Sequence, residues 1–253
     1  MNTVNSVRLI SILALNQWRE QWRNKSFMIA LFFAGILIYA SILLGVLAVD
    51  QETRALLDFG QSFIELLGLG LAAYGAATVF LREMETKTIY LILSRPVPRW
   101  VYLLGRYFGL LLTTFGAVAL MTAVHVSVLL WRGWHWQWVY FLGISGILLK
   151  LTLACALATF LALFTTSALS ALTVTAILWA LGNFIPEIAY LARKTAQPFG
   201  INVLGATSYI IPHLNLLNFR DRLDIPASIL PSEPILGAVI YSCLYSAVCL
   251  ILG

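Results

Sequence analysis

Long apolar runs broken by short polar interruptions set the pattern of this chain. Six runs stand out: Ser26–Val49, Phe59–Leu81, Tyr107–Leu130, Trp138–Phe164, Ala168–Ile185 and Ile235–Gly253. Each approaches or exceeds the ~20 residues needed to cross ~30 Å of hydrocarbon. None shows the ten-residue alternation of a barrel strand. In lipid the backbone must satisfy its own hydrogen bonds, so runs of this kind become helices. The pattern predicts an all-α, polytopic membrane protein: one domain over residues 1–253, with six transmembrane helices. The first run follows a 25-residue polar lead and carries no small-residue cleavage site, so it reads as a retained span.

The segments between the runs have characters of their own. Residues 1–25 predict an interfacial amphipathic helix, with Val4, Val7, Ala14, Leu15, Trp18 and Trp22 on one face and Arg8, Asn16, Arg19 and Arg23 on another. Its expected role is a membrane-surface anchor, a partner contact, or both. The hairpin Trp131–Trp138 holds four tryptophans, an aromatic belt at one membrane interface. Residues 186–234 are apolar but interrupted by Pro198, Gly200, Gly205 and Pro212. They predict short helices lying on the outer interface or re-entering it.

Composition fits this picture: 60% of residues are apolar and 11% charged, against roughly 45–50% apolar in soluble domains. Nine Lys and Arg (Arg8, Arg19, Arg23, Lys25, Arg82, Lys87, Arg95, Arg99, Arg106) fall on one side of the six-span plan, and the short loops opposite hold Arg54 and Arg132. The positive-inside rule places the nine, and the N-terminus, in the cytoplasm. The net charge of +5 is accounted for by these loops, with nothing further to favour nucleic acid. Cys155, Cys243 and Cys249 lie in apolar runs without a CxxC pair, so they indicate neither a disulfide framework nor a metal site.

Against so apolar a background, Leu81–Arg106 gathers seven charges: Arg82, Glu83, Glu85, Lys87, Arg95, Arg99 and Arg106. It joins spans two and three on the cytoplasmic side. Glu83 and Lys87 have the favourable i,i+4 order for a short helix, and the spacing predicts a rod from Arg82 to Leu93, ~18 Å long at 1.5 Å per residue. Pro96 and Pro98 stop it. A solvated loop explains the charge but not the apolar Ile89, Leu91, Ile92 and Leu93. A short amphiphilic helix held under the membrane suits docking into a groove of another protein.

The phrase "REMETKTIYLILSRPVPRWVYLLGR" resembles the cytoplasmic loop of type-2 ATP-binding-cassette permeases, with Glu83, Glu85, Thr88, Leu93, Ser94, Pro96, Arg99, Gly105 and Arg106 filling the pattern. Lys87 stands where many members have Gly. The wording is most similar to the multicopper-enzyme-maturation, or copper-processing, permeases, where a later "IPxLxxxNxRD" also recurs. Here that phrase is Ile211, Pro212, Leu214, Asn218, Arg220 and Asp221. The resemblance implies a coupling helix within residues 82–100, with Glu83, Glu85, Thr88, Leu91, Leu93, Ser94, Pro96 and Arg99 as ATPase-coupling residues. It implies two copies of a separate ATPase subunit carrying ATP and Mg, a second permease copy in a homodimer, and a bacterial cytoplasmic membrane. It leaves room for a periplasmic partner. The loop Thr165–Ser170 would be a lesser contact.

Other polar residues stand inside the runs. Lys150 in the fourth span carries an insertion cost of ~2.5–3.5 kcal/mol, and Glu65 in the second is the one acid in the runs. They lie ~18 Å and ~9 Å below the outer ends of their spans, a gap that a flexible Lys stem narrows. An ion pair is the first expectation, and a substrate or proton pathway the second. "GISG", Gly143–Gly146, matches an intramembrane-protease motif, but no histidine is marked as the partner of Ser145; helix packing explains it better. Met121 and His125 share a helical face yet read as core, and no metal site is expected. Gly105 and Gly109 form a G-x-x-x-G that permits close helix approach.

No G-x-x-x-x-G-K-[ST] occurs, so a bound nucleotide of the P-loop kind is excluded for this chain. The expectation is a non-enzymatic permease subunit, and an exporter by resemblance. The rivals are a membrane-embedded assembly subunit driven by ATPase motion, and an intramembrane enzyme.

Overall fold

The computed structural model describes residues 3–25, 27–28, 31–32, 34–36, 38–40, 52–87, 98–195, 211–220 and 233–253. Among these residues the helices are α1 (Thr3–Arg23), α2 (Glu52–Glu85), α3 (Arg99–Trp131), α4 (Trp138–Phe164), α5 (Ala168–Thr195) and α6 (Glu233–Leu252). A 3-10 turn, Leu214–Leu217, lies between α5 and α6. Five helices, α2 to α6, are long and apolar enough to cross a membrane. The first expected span, Ser26–Val49, lies largely outside the described residues; those described between 25 and 40 are helical.

The helix ends differ from the apolar runs. α4 coincides with Trp138–Phe164, because that segment is apolar on all sides. α2 begins at Glu52 rather than Phe59, and α3 at Arg99 rather than Tyr107. Charged turns extend these helices past the hydrocarbon, where water takes over as solvent. α5 continues through Pro186 to Thr195 instead of stopping at Ile185.

α4 is the central pillar, touching α2, α3, α5, α6 and the 3-10 turn. A helix hydrophobic all round belongs in such a place. Its lower half buries Ala154, Cys155, Ala156, Ala158 and Ala162, small residues that let neighbouring backbones approach. Ile144, Ile147 and Leu151 in its upper half pack with Ile64, Val118, Met121 and Tyr140.

The α3–α4 hairpin closes with a Schellman motif. Gly133 adopts φ +82°, its N–H bonds Leu130 O at 3.1 Å, and Trp134 N–H bonds Leu129 O at 3.1 Å. Trp134 and Leu129 are both buried in one cluster, the apolar contact expected of this cap.

α1 runs beside α3 in the same direction rather than lying apart from the bundle. A Cβ on Gly105 would meet Leu13, one on Gly109 would meet Gln17 and Ala14, and one on Gly116 would meet Trp22. The G-x-x-x-G stripe is the seat of α1. The buried face of α1 therefore matches the expected apolar one only in part: Ala14 is buried, but so are Ser6, Gln17 and Gln21, while Val7 and Leu15 are exposed.

Candidate functional site

Among the described residues, two centres of buried ion pairs interrupt the apolar bundle. The first lies where α1, α2 and α3 meet. α2 ends at Glu85, with Thr86 N–H bonded to Arg82 O at 2.9 Å and Lys87 N–H to Met84 O at 3.2 Å. Lys87 takes φ +56°, the left-handed cap conformation that favours glycine. This corrects the expected rod: a continuous helix from Arg82 to Leu93 is broken at Thr86–Lys87. The physical signal was the family's usual Gly at position 87, which marks a turn.

Arg82, Glu85, Thr86 and Lys87 are exposed, whereas Glu83 turns inward. Its carboxylate accepts from the Tyr102 hydroxyl and pairs with the Arg106 guanidinium. Arg106, itself buried, donates to Gln17 Oε1 at 3.4 Å, and its guanidinium carbon stands 5.7 Å from the Tyr102 ring centre. Glu83 thus ties the end of α2 to the start of α3, and Arg106 extends the tie to α1. Arg99 is the first residue of α3 and exposed, after Pro98 in extended conformation at φ −62°, ψ 142°. Thr88, Leu91, Leu93, Ser94 and Pro96 lie outside the described residues. The α4–α5 loop, through Thr166 and Ser167, borders a cavity of about 480 Å³ that also touches Arg82 and Glu85.

The second centre is within the spans. Lys150 Nζ lies 2.8 Å from Glu65 Oε1, the side chains being 4% and 6% exposed. The structure brings the two together because α2 starts earlier than expected: Glu65 is 13 residues from Glu52, or ~20 Å, level with Lys150 ~18 Å below Trp138. Two further partners escaped sequence reasoning. Arg220 donates to Glu65 Oε2 at 2.6 Å and to Ser62 Oγ at 2.6 Å. Asn183 Oδ1 accepts from Lys150 at 3.1 Å, and Asn183 Nδ2 donates to Trp179 O at 3.0 Å. One carboxylate therefore joins α2, α4, α5 and the segment Ile211–Arg220.

That segment sits inside the bundle, with Leu214, Leu217 and Phe219 buried. Two glycines make room for it. A Cβ on Gly146 would lie 2.5 Å from Leu217 O, and one on Gly182 would lie 2.4 Å from Pro212 O. The only sequence hint was that Arg220 belongs to the same family phrase as Pro212 and Leu214.

The remaining motifs resolve as structure. Ser145 donates to Leu142 O of its own helix at 2.7 Å. His125 bonds the Tyr140 hydroxyl at 2.8 Å and Leu56 O at 3.3 Å, seated against Gly60, where any Cβ would strike its ring. Met121 is buried in the outer apolar cluster. Neither centre pairs a nucleophile with a base. What both supply is mechanical: buried charge pairs that fix helices to one another.

Residues 13–225 match the family model described as ABC-2 family transporter protein. No curated protein matches the chain.

Proposed function

This chain belongs to the ABC-2 transporter family, a multi-pass membrane permease subunit whose relatives work with an ATPase subunit, and from that premise we propose how it works. It is the permease half of an exporter in a bacterial cytoplasmic membrane, with its N-terminus inside. Two copies of a separate ATPase, which hold ATP and Mg, dock beneath a homodimer of this chain. The docking surface comprises Glu85, Thr88, Leu91, Leu93, Ser94, Pro96 and Arg99, with Thr165–Ser170 beside it. Glu83 acts behind that surface, through Arg106. The likeness to copper-processing permeases rests on the two sequence phrases, and a periplasmic partner is compatible with it.

The observation that carries this reading is the Glu83–Arg106–Tyr102 tie, closed onto α1 by Gln17. A push on residues 88–97 reaches α2 and α3 together, because their inner ends are joined by a buried ion pair instead of sliding past one another. The Glu65 centre holds the outer half of the same bundle. An ATP-bound partner must favour one arrangement of the spans over the other by differential contact. The joint at Glu83 lets that preference act on the spans.

The experiment is purification from native membranes in mild detergent, with identification of co-eluting chains. A nucleotide-binding subunit that stays with the wild type, leaves with Glu85→Lys and returns with the charge-conserving Glu85→Asp supports the reading. Retention by every variant of the docking surface opposes it.

A further inference from the structure

A cleft opens between the end of α1 and the inner end of α2. It has a volume of about 650 Å³ and is lined by Arg19, Gln21, Arg23 and Asn24 on one side and by Thr78 and Arg82 on the other, among others. We propose that this cleft holds the phosphodiester headgroup of an inner-leaflet phospholipid, one whose headgroup also carries a hydrogen-bond donor. The proposal rests on the orientation proposed above, with the N-terminus inside, and is independent of what the chain transports.

Depth is the first argument. About 20 helical residues cross the hydrocarbon. Counted from Leu56, at the level of the outer hairpin, α2 reaches the inner edge near Ala76. Counted back from Trp131, α3 reaches it near Leu111. The two counts agree, because a Cβ on Gly75 would lie 2.8 Å from Leu110 Cδ1. Thr78 and Arg82 are two and six residues past that edge, which places the cleft among the headgroups. A lipid can fill it while its acyl chains stay in the bilayer; a soluble anion has no such reason to be at this depth.

Charge is the second. The two acids in the lining are already engaged: Glu83 with Arg106, and Glu20 facing Arg82 at 3.8 Å. Arg19 and Arg23 are exposed and make no ion pair among the described residues. Guanidinium forks suit phosphate oxygens, and basic pockets between helices on the cytoplasmic side suit phospholipid headgroups.

The third argument is a buried acceptor. Gln21 is 4% exposed, its Nε2 donates to Gly75 O at 3.5 Å, and its Oε1 has no partner. A buried polar atom without a partner is costly. A headgroup with glycerol hydroxyls or an ammonium group supplies the missing donor, whereas a choline headgroup has none.

The test is native mass spectrometry of the full chain released from micelles containing dioleoyl phosphatidylglycerol or dioleoyl phosphatidylcholine. We expect one retained phosphatidylglycerol per chain and at least tenfold less phosphatidylcholine. Arg19→Gln with Arg23→Gln should reduce phosphatidylglycerol retention at least tenfold at an unchanged melting temperature. Arg54→Gln with Arg132→Gln, at the other end of the bundle, should leave retention intact. The near-isosteric Gln21→Met should narrow the preference for phosphatidylglycerol. Equal retention by the Arg19/Arg23 variant overturns the proposal. So does displacement of the lipid by inorganic phosphate at equal concentration, which would make the cleft a free-anion site. Loss of the bound lipid on adding a purified ATPase partner also overturns it, because the cleft would then belong to that protein.

Discussion

Replacing Glu65 by Gln removes the carboxylate that contacts both Lys150 and Arg220. The substitution keeps the shape and deletes the charge. It takes the carboxylate from an ammonium 4% exposed and a guanidinium 18% exposed. Removing one partner of a buried pair costs about 3–5 kcal/mol, and with two cations losing the same carboxylate the upper end applies. For a chain of this length each kcal/mol moves the melting temperature by about 2–4 °C, so Glu65→Gln should lower it by ~10–20 °C. Lys150→Met should cost less, since Arg220 still satisfies Glu65. The triple variant Glu65→Leu, Lys150→Met, Arg220→Met should recover most of the loss, because apolar residues of similar volume replace a buried ionic group at little cost. Tryptophan-fluorescence melting in detergent reads all of these. If the losses of Glu65→Gln and Lys150→Met simply add in the double variant, the residues are uncoupled and the reasoning fails.

The other predictions concern the inner face and the seat of α1. Lys87→Gly should raise stability by ~1 kcal/mol, because glycine takes φ +56° without the left-handed penalty of an L side chain; a lower melting temperature would argue against the cap. Gly109→Val places a Cβ 2.8 Å from Gln17 Cβ and 3.0 Å from Ala14 O, so it should cost ~1–3 kcal/mol and unseat α1, which speeds trypsin cleavage at the already exposed Arg19 and Arg23. Gly70→Ala, with nothing within 4 Å, should leave the digestion pattern unchanged. Glu83→Gln and Glu85→Gln should separate: the first should lower the melting temperature by several degrees through Arg106, and the second should spare stability and weaken ATPase association. Equal melting losses would refute the inward placement of Glu83.

How much of this was legible depended on whether the signal was local. An apolar run records the thickness of the hydrocarbon, so Trp138–Phe164 could be read to the residue. It does not record where a helix ends in water, which is why Glu52–Asp58 and Arg99–Arg106 were missed as helix. The same omission misplaced Glu65 by two turns relative to Lys150. The break at Lys87 was visible only as a departure from a family glycine. The partners Arg220 and Gln17 could not be read, since Arg220 meets Glu65 across 155 residues of sequence and Gln17 meets Arg106 across 89. Nothing local distinguishes a glutamine aimed at a buried guanidinium from one aimed at water.

Photo-crosslinking from position 88 tests most directly whether a separate ATPase acts at the loop between α2 and α3. A photoreactive residue in place of Thr88, in membranes from cells expressing the neighbouring genes, should capture a Walker-A-bearing chain, with a yield that changes when ATP is added to inside-out vesicles. Capture of no nucleotide-binding chain, or labelling of position 88 from outside intact cells, would contradict the account.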